Sequence, residues 1–359
     1  VTTMTATNTT AKPDSPDSPD SPDSPNAGGP AAKSRYTILD QPKLGIKGVL
    51  GKWETLLALL FLLAFVTNGM LLEHFLDPYN LADGTFNFSE KALIALPMAL
   101  LIICREIDIS VAGILALSSV AMGLAMNAGF PPASLLFVAL ATGVACGTLN
   151  GVLVTRFGLP AIVVTIGTVS LFRGLASVVL GDKAFTGYPQ VMTDWGQGYF
   201  FDFIPREFVI LLVFAAIFAF VLHATRWGRR IYAIGNNPIA ARFSGIEVDR
   251  YRMVLFMLTG AMAGLAAFLL TGRIGSTRPN IAMGWELEVI TMVILGGVSI
   301  AGGAGTIGGV MLAVLTLGTV TYGLSMANIP GIYMTIVIGL LLLVTIALPR
   351  LLRGKKVAK

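Results

Sequence analysis

Cysteine and histidine are scarce in this 359-residue chain, which holds two of each. Cys104 and Cys146 both fall within or at the end of apolar runs, so neither a disulfide framework nor a Cys/His metal cluster is supported. His74 and His223 are far apart and match no ligand spacing; they read as interfacial side chains near helix ends. No Gly-x-x-x-x-Gly-Lys-Ser/Thr phosphate loop occurs, which excludes a nucleotide site of that type. Charge is also short. Charged residues make up 13% of the chain, against about 25% in soluble domains. With 55% hydrophobic residues and a mean hydropathy of +0.77, a soluble globular protein is excluded. The pI of about 9.2 would point to nucleic acid in a soluble protein, but here membrane topology accounts for the cations.

What is abundant is glycine, forty residues in all, together with long apolar runs. Glycine is enriched in transmembrane helices, where it lets backbones approach closely. Residues 1–50 differ in kind: Asp14 to Pro25 is an Asp-Ser-Pro triplet repeated four times. Such a stretch has little to bury and is expected to be a disordered tail. It has no apolar core of the kind a secretory signal carries.

Beyond it, over 51–359, the sequence predicts an all-α polytopic membrane domain of about ten transmembrane helices. The runs lie near Thr55–Leu72, Lys91–Ile103, Val111–Met126, Ala133–Val154, Ile162–Leu180 and Phe208–Ala224. The remaining four are Met253–Thr271, Glu288–Ile300, Ile307–Leu324 and Ile332–Leu348. Some are short or broken. The second contains Pro97, and the eighth runs into Gly296-Gly297 and Gly302-Gly303-Ala304-Gly305. Irregular backbone at membrane depth survives only where protein or a water-filled cavity covers it. Broken spans therefore point either to a pathway between helices or to a tight interfacial turn. With the amino terminus in the cytoplasm, only Lys91, Lys183, Arg206, Arg273 and Arg278 fall outside, whereas the flanks, Arg105, Arg156 and the 226–252 loop hold far more cations. By the positive-inside rule both termini and that loop are expected on the cytoplasmic face.

The loop from Arg226 to Arg252 carries six arginines against Glu247 and Asp249. Asn237 followed by Pro238 offers a cap and a first helical residue, and Ser244-Gly245 offers a stop. A short helix with small Ala240, Ala241 and Gly245 would fit a groove in a partner, with Arg242 free to bond carboxylates or carbonyls there. A merely solvated positive loop is the competing reading. Within or beside the spans, ionisable and amide side chains are costly and stand as functional candidates. Arg173 is placed to bond a carboxylate or broken-helix carbonyls, or else cargo. Asp108 is placed to cap the third span at Ser110, pair locally or act in gating. Asn150 and Thr165 are placed to hydrogen-bond across helices. Glu288 reads as a cargo contact or as an interfacial anchor beside Trp285. A proton-coupled secondary transporter would carry Asp, Glu or His deep in several helices, and few are seen.

The loop resembles the coupling helix of permease subunits in ATP-binding-cassette importers of the ribose, xylose and rhamnose family. The likeness lies in Gly228 to Asn237 and Ala240 to Ile246, in Ile107-Asp108-Ile109-Ser110-Val111, in Asn150-Gly151 to Pro160, and in Val164 to Thr168. It continues through Phe172-Arg173-Gly174 and Ile294 to Ser299, and covers residues 51–350. Arg105 and Glu106 stand where that family often has two glycines, and Ala112 where it has another, which implies a stiffer backbone there. The run Gly284 to Thr291 most resembles rhamnose permeases, with autoinducer-2 permeases close behind. The resemblance implies a non-enzymatic chain in the bacterial inner membrane with no cofactor of its own. ATP and Mg would sit on partner ATPase subunits that dock at Asn237, Pro238, Ala240, Ala241, Arg242 and Gly245. It further implies a second permease (identical or paralogous), a periplasmic or lipid-anchored sugar-binding protein, and surrounding membrane lipid, with no nucleic acid.

Overall fold

A helix that is apolar around its whole circumference needs an apolar neighbour on every side. The stretch Ala92–Ile103 is such a sequence, without one charged residue. The computed structural model describes residues 53–353, and there this stretch becomes the central strut of a helical bundle. The Asp-Ser-Pro tail and the last lysines lie outside the described residues.

The helices in order are α1 (Trp53–Leu71), α2 (Pro78–Gly84), α3 (Phe86–Ile103), α4 (Val111–Asn127), α5 (Ser134–Thr155) and α6 (Ala161–Leu180). Then come α7 (Gln190–Gln197), α8 (Arg206–Ala224), α9 (Arg226–Asn236), α10 (Pro238–Phe243), α11 (Val248–Ile274), α12 (Trp285–Leu295), α13 (Ile307–Met326) and α14 (Gly331–Arg353). Two antiparallel ladders of two residues each, Phe185–Thr186 with Ser276–Thr277 and Tyr199–Phe200 with Ile204–Pro205, fasten the loops. A helix stands at each of the ten apolar runs. Seven helical stretches among the described residues are long and apolar enough to cross a membrane, and α4 and the described part of α14 are shorter apolar helices.

The strut α2–α3 has 83% of its apolar window buried, whereas the peripheral α1 has 6%. In α3 every residue from Ala92 to Ile103 is essentially inaccessible, and α8, α11, α12 and α13 pack against it. Between lipid-bathed helices there is no hydrophobic gain to drive association, so close van der Waals contact does the work. The most intimate contact joins α5 to α11. A Cβ built on Gly143 would fall 2.1 Å from the Gly260 carbonyl oxygen, and one on Gly260 would fall 2.1 Å from that of Gly143. The two backbones touch because neither position has a side chain.

The eighth span and the cationic loop differ from what the sequence predicts. Apolar α12 stops at Leu295, since Gly297 (φ 84°), Gly302 (φ 81°) and Gly303 (φ 74°) turn the chain back before α13. The cationic loop, for its part, is largely helical. Thr225 caps α9 through a bond from the Gly228 amide, and Asn237 accepts from the Ile239 and Ala240 amides at 3.0 Å each to open α10.

Substituting leucine at Gly260 is expected to separate α5 from α11 and to lower the unfolding temperature of the detergent-solubilised protein by several degrees, a destabilisation of about 1–3 kcal/mol or more. Alanine at Gly167 in α6, where nothing lies within 4 Å, is expected to leave it within about 0.5 kcal/mol. Thermal unfolding followed by circular dichroism separates the two.

Candidate functional site

Six chain segments meet at one end of the bundle: the starts of α1 and α11, the end of α3, all of α9, α10, and the glycine turn between α12 and α13. Apolar residues of α9 face inward, with Ile231 and Ile234 buried, while Arg226 and Arg229 lie on its polar side. Gly235 passes so close to α3 that a Cβ there would fall 1.9 Å from the Ile103 carbonyl oxygen. That same carbonyl accepts from the Gly303 amide at 2.9 Å. Tyr232 Oη donates to the Gly305 carbonyl at 2.6 Å, and Trp53 Nε1 donates to the Leu295 carbonyl at 2.7 Å. Trp227 packs on Tyr251 with ring centroids 4.5 Å apart, and Arg230 donates to the Tyr251 hydroxyl at 2.9 Å. Thus α9 is bolted to the core, and α10 projects from it.

Of the small residues expected on one face of the short helix α10, only Ala241 turns inward, while Ala240 and Gly245 are exposed. Ala241 is buried, and Gly245 (φ 79°) ends the helix in the left-handed region that glycine favours. Arg242 is not free for a partner: its Nη2 donates to both carboxylate oxygens of Asp249, at 2.6 and 2.9 Å. What α10 presents outward is Ile239, 68% exposed, and Phe243, 90% exposed, beside exposed Ala240. These two apolar residues stand four apart, one helical turn, and reading from the sequence passed them over. The signal was there: an i, i+4 apolar pair on a capped helix inside a polar segment.

Beneath this end lies a buried polar knot. Asp108 Oδ1 accepts from the Ser110 amide (2.8 Å) and the Ser110 hydroxyl (2.6 Å). Asn150, from α5, donates to Ser110 Oγ at 2.7 Å. Thr165 bonds mainly back to Ala161 of its own helix at 2.9 Å, with a 3.4 Å contact to the Ile107 carbonyl. Asp108, Ser110, Asn150 and Thr165 are fully buried. Asp108 Oδ2 and Asn150 Oδ1 have no donor, and burial pushes the Asp108 carboxyl up from 3.8 to about 6 against the pull of the Ser110 and Asn150 bonds. Nearby, Glu106 pairs with Arg252 at 2.9 Å. Burial raises the Glu106 carboxyl, and Arg252 pulls it the other way.

At the far end, the remaining candidates are held by the protein itself. Arg173 donates to the carbonyls of Pro279 and Ile281 at 3.1 and 3.2 Å, fixing the loop before α12. Glu288 pairs with Lys91 at 2.5 Å, and the Lys91 ammonium lies 5.0 Å from the centre of the Trp285 ring. Beside α6 an open cavity of about 600 Å³ is lined by Ser177, Asp182, Lys183, Arg278 and Asn280 among others. A further cluster escaped the sequence reading. Glu90 and Glu207 are wholly buried, and Arg273 Nε bonds Glu90 Oε1 at 2.6 Å. Hydropathy alone starts these spans at Lys91 and Phe208, one residue after each carboxylate. Both helices continue past the apolar run and carry the charge inside with them.

The family whose sequence pattern this chain matches is described as "Branched-chain amino acid transport system / permease component", over residues 80–346. The chain belongs to this permease family. It is 34% identical over 315 residues to the ribose import permease protein of Bacillus subtilis, covering 87% of this chain and 96% of that protein. It is 32% identical over 300 residues to an autoinducer 2 import system permease protein of Photorhabdus luminescens (82% and 90% covered). The Escherichia coli K12 protein of the same description is 33% identical, with 82% and 91% covered. A solved metal-chelate type ABC transporter in an inward-facing conformation aligns with a TM-score of 0.49 at 16% identity, over 80% of this chain and 94% of that one. Membership makes the chain a multi-pass inner-membrane transport component and not itself an enzyme. The matched region contains α3 through most of α14, and so both the bolted end and the far-end clusters.

Two consequences can be measured. Because folding holds the Asp108 carboxyl neutral to higher pH than the unfolded chain does, its stabilisation is complete below about pH 3.8 and is lost as pH rises through about 6. Relative to Asp108→Asn, the wild-type protein is expected to lose about 3 kcal/mol of unfolding free energy across that window, from about 1.4 kcal/mol per pH unit. Unfolding of both proteins across the pH range checks it. In Arg273→Met, Glu90 loses its buried counter-charge, and a destabilisation of about 3–5 kcal/mol is expected in the same assay.

Proposed function

We propose that this chain is the membrane permease subunit of an ATP-driven importer of a monosaccharide or a sugar-like molecule. In this reading the bolted end faces the cytoplasm, where cation excess places it, and α10 seats in a groove of a separate ATPase subunit. The carrying observation is the exposed Ile239 and Phe243 pair on a helix whose every other attachment is internal. An exposed aromatic and a branched aliphatic on a rigid, pre-capped helix form the kind of compact anchor that dominates an interface, and a helix-in-groove partner reads them one turn apart. ATP and Mg belong to that subunit. The Asp-Ser-Pro tail has no part in this reading.

A second permease, identical or paralogous, is proposed to face α6. One stripe of the exposed side of α6 carries Gly167, Ser170, Gly174 and Ser177, with nothing within 4 Å of either glycine, between exposed Val163, Ile166, Leu171 and Val178. Small and hydroxyl-bearing residues suit close approach of another helix and a hydrated wall more than they suit lipid. The 600 Å³ cavity at the end of α6, with Asp182, Lys183 and Arg278 at its rim, is the proposed landing place of a cargo-binding protein.

For the cargo, the relatives named for ribose and autoinducer 2 support a small hydroxyl-rich molecule. The Gly284 to Thr291 run supports rhamnose as the first compound to try, with ribose and autoinducer 2 beside it. Asp108, Arg173 and Glu288 each bond within the protein, which suits a neutral cargo better than one needing fixed counter-charges. Uptake of labelled rhamnose, ribose and autoinducer 2 in a strain lacking this chain, with and without its restoration, tests the cargo. If restoration raises uptake of none of them, the cargo reading is wrong.

The docking reading is tested by Phe243→Asp. Its expected result is loss of copurification with the ATPase subunit and an uptake decrease of about 30-fold, the equivalent of one anchor worth about 2 kcal/mol. Unfolding temperature should be unchanged, since the side chain touches solvent on nearly all sides. Retained copurification and uptake would refute the docking face.

A further inference from the structure

The elbow that follows the central strut has an arginine in a backbone conformation that ordinarily selects glycine. Helix α3 ends with the Arg105 amide bonded to the Ile102 carbonyl at 2.9 Å and the Glu106 amide bonded to that of Leu101 at 3.1 Å. This is the Schellman pattern, and it puts residue 105 in the left-handed region, where Arg105 has φ 67°. A side chain there is strained relative to glycine. The side chain has a use that offsets the strain. Arg105 Nε donates to the Gly235 carbonyl at 2.6 Å, and Nη2 donates to the Asn236 carbonyl at 2.8 Å. Those are the last two carbonyls of α9, which lie at the negative end of its dipole and have no partner within that helix. Gly302 leaves space for the arginine stem: a Cβ there would lie 2.4 Å from Arg105 Cγ.

The adjacent residue grips the other flank. Glu106 pairs with Arg252, in the first turns of α11, at 2.9 Å with both side chains mostly buried. Residues 105 and 106 therefore hold the two helices between which α10 is strung. Both belong to the turn that ends α3, whose apolar length is buried against α8, α11, α12 and α13. Among the described residues, no other charged fork joins the α9–α10 junction to the strut.

We propose that Arg105 is a positioning residue for energy coupling, carrying movement of α10 directly into the central helix α3. This rests on the reading of α10 as the docking helix. A planar guanidinium holding two carbonyls transmits displacement and rotation alike, because its donors are fixed relative to one another. An ammonium at the same place would act as a point and leave rotation free. Arg105 need touch neither cargo nor nucleotide. It determines how much of the motion at the docking face reaches the pathway.

The test uses the complete complex, permease with its ATPase and binding protein, in proteoliposomes, and reads uptake and ATP hydrolysis together. Arg105→Gly keeps the left-handed turn and removes only the fork. Its expected result is unchanged copurification with the ATPase, continued hydrolysis, and a fall in cargo taken up per ATP of about tenfold, within the 5- to 150-fold range usual for coupling between sites. A loss of fold alone would lower both rates in proportion and leave that ratio fixed. If Arg105→Gly fails to reach the membrane, Arg105→Lys carries the test, with a smaller fall in the same ratio. A wild-type ratio in whichever variant is assembled overturns the proposal while leaving the docking reading intact. A wild-type complex whose ATPase neither copurifies with the chain nor responds to cargo overturns both.

Discussion

The arrangement depends on one constraint: α3 has no polar face. From Ala92 to Ile103 every side chain is buried, so the helix cannot border lipid on one side and a pathway on the other, as a peripheral span does. It is instead surrounded, with α8, α11, α12 and α13 packed around it. Its ends become the only places where it meets polar groups. At one end Glu90 reaches Arg273, and Lys91 reaches Glu288. At the other, the Ile103 carbonyl takes the Gly303 amide, and Arg105 takes two carbonyls of α9. A greasy strut with a charged grip at each end is well suited to move as a rigid piece.

Much of this was legible from residue order. Each apolar run became a helix because a membrane-length run leaves the backbone no other way to satisfy its amides and carbonyls. Boundaries were less legible, and the errors share a cause. Hydropathy ends a span at the first ionisable residue, but Glu90 and Glu207 are carboxyl groups inside helices, and Glu90 is tolerated because Arg273 reaches it from a third helix, 183 residues along the chain. Only the tertiary structure brings that guanidinium near. The eighth span failed in the opposite direction: its apolar content runs on to Ile300, but glycines with positive φ had already turned the backbone.

Site residues divide the same way. Asn237 and Gly245 were readable because capping is local, and both stand where the cap and the stop were expected. The pairing of Asn150 with Ser110 was readable as a kind of bond, though not by partner. Arg242 shows the limit. From sequence it is a free cation on a loop; in the fold Asp249, in the first turn of α11, accepts through both carboxylate oxygens from its Nη2. Exposed pairs of this kind contribute little stability. Its effect is rather to fix the angle of α10, and so to leave Ile239 and Phe243 as the outward surface. Which residues of a six-residue helix turn inward cannot be read from composition, because the packed side depends on where α11 begins.

The nature of the bonds at the two ends bears on how such a chain can switch. A conformational change is driven only by a difference in a partner's affinity for the two states, so a link that stretches gradually would dissipate that difference before it reached the core. Apolar contacts between smooth helices slide with little penalty over a fraction of an ångström. Hydrogen bonds from a guanidinium to carbonyls weaken steeply once distance or angle leaves a narrow range, and a desolvated carbonyl left without a donor costs free energy in addition. The junction of α3 with α9 is made of bonds of that kind, at 2.6 and 2.8 Å. It either moves as one piece or breaks. That property places flexibility elsewhere, on the open face of α6, where Gly167 and Gly174 have nothing within 4 Å and leave room for one packing to be exchanged for another.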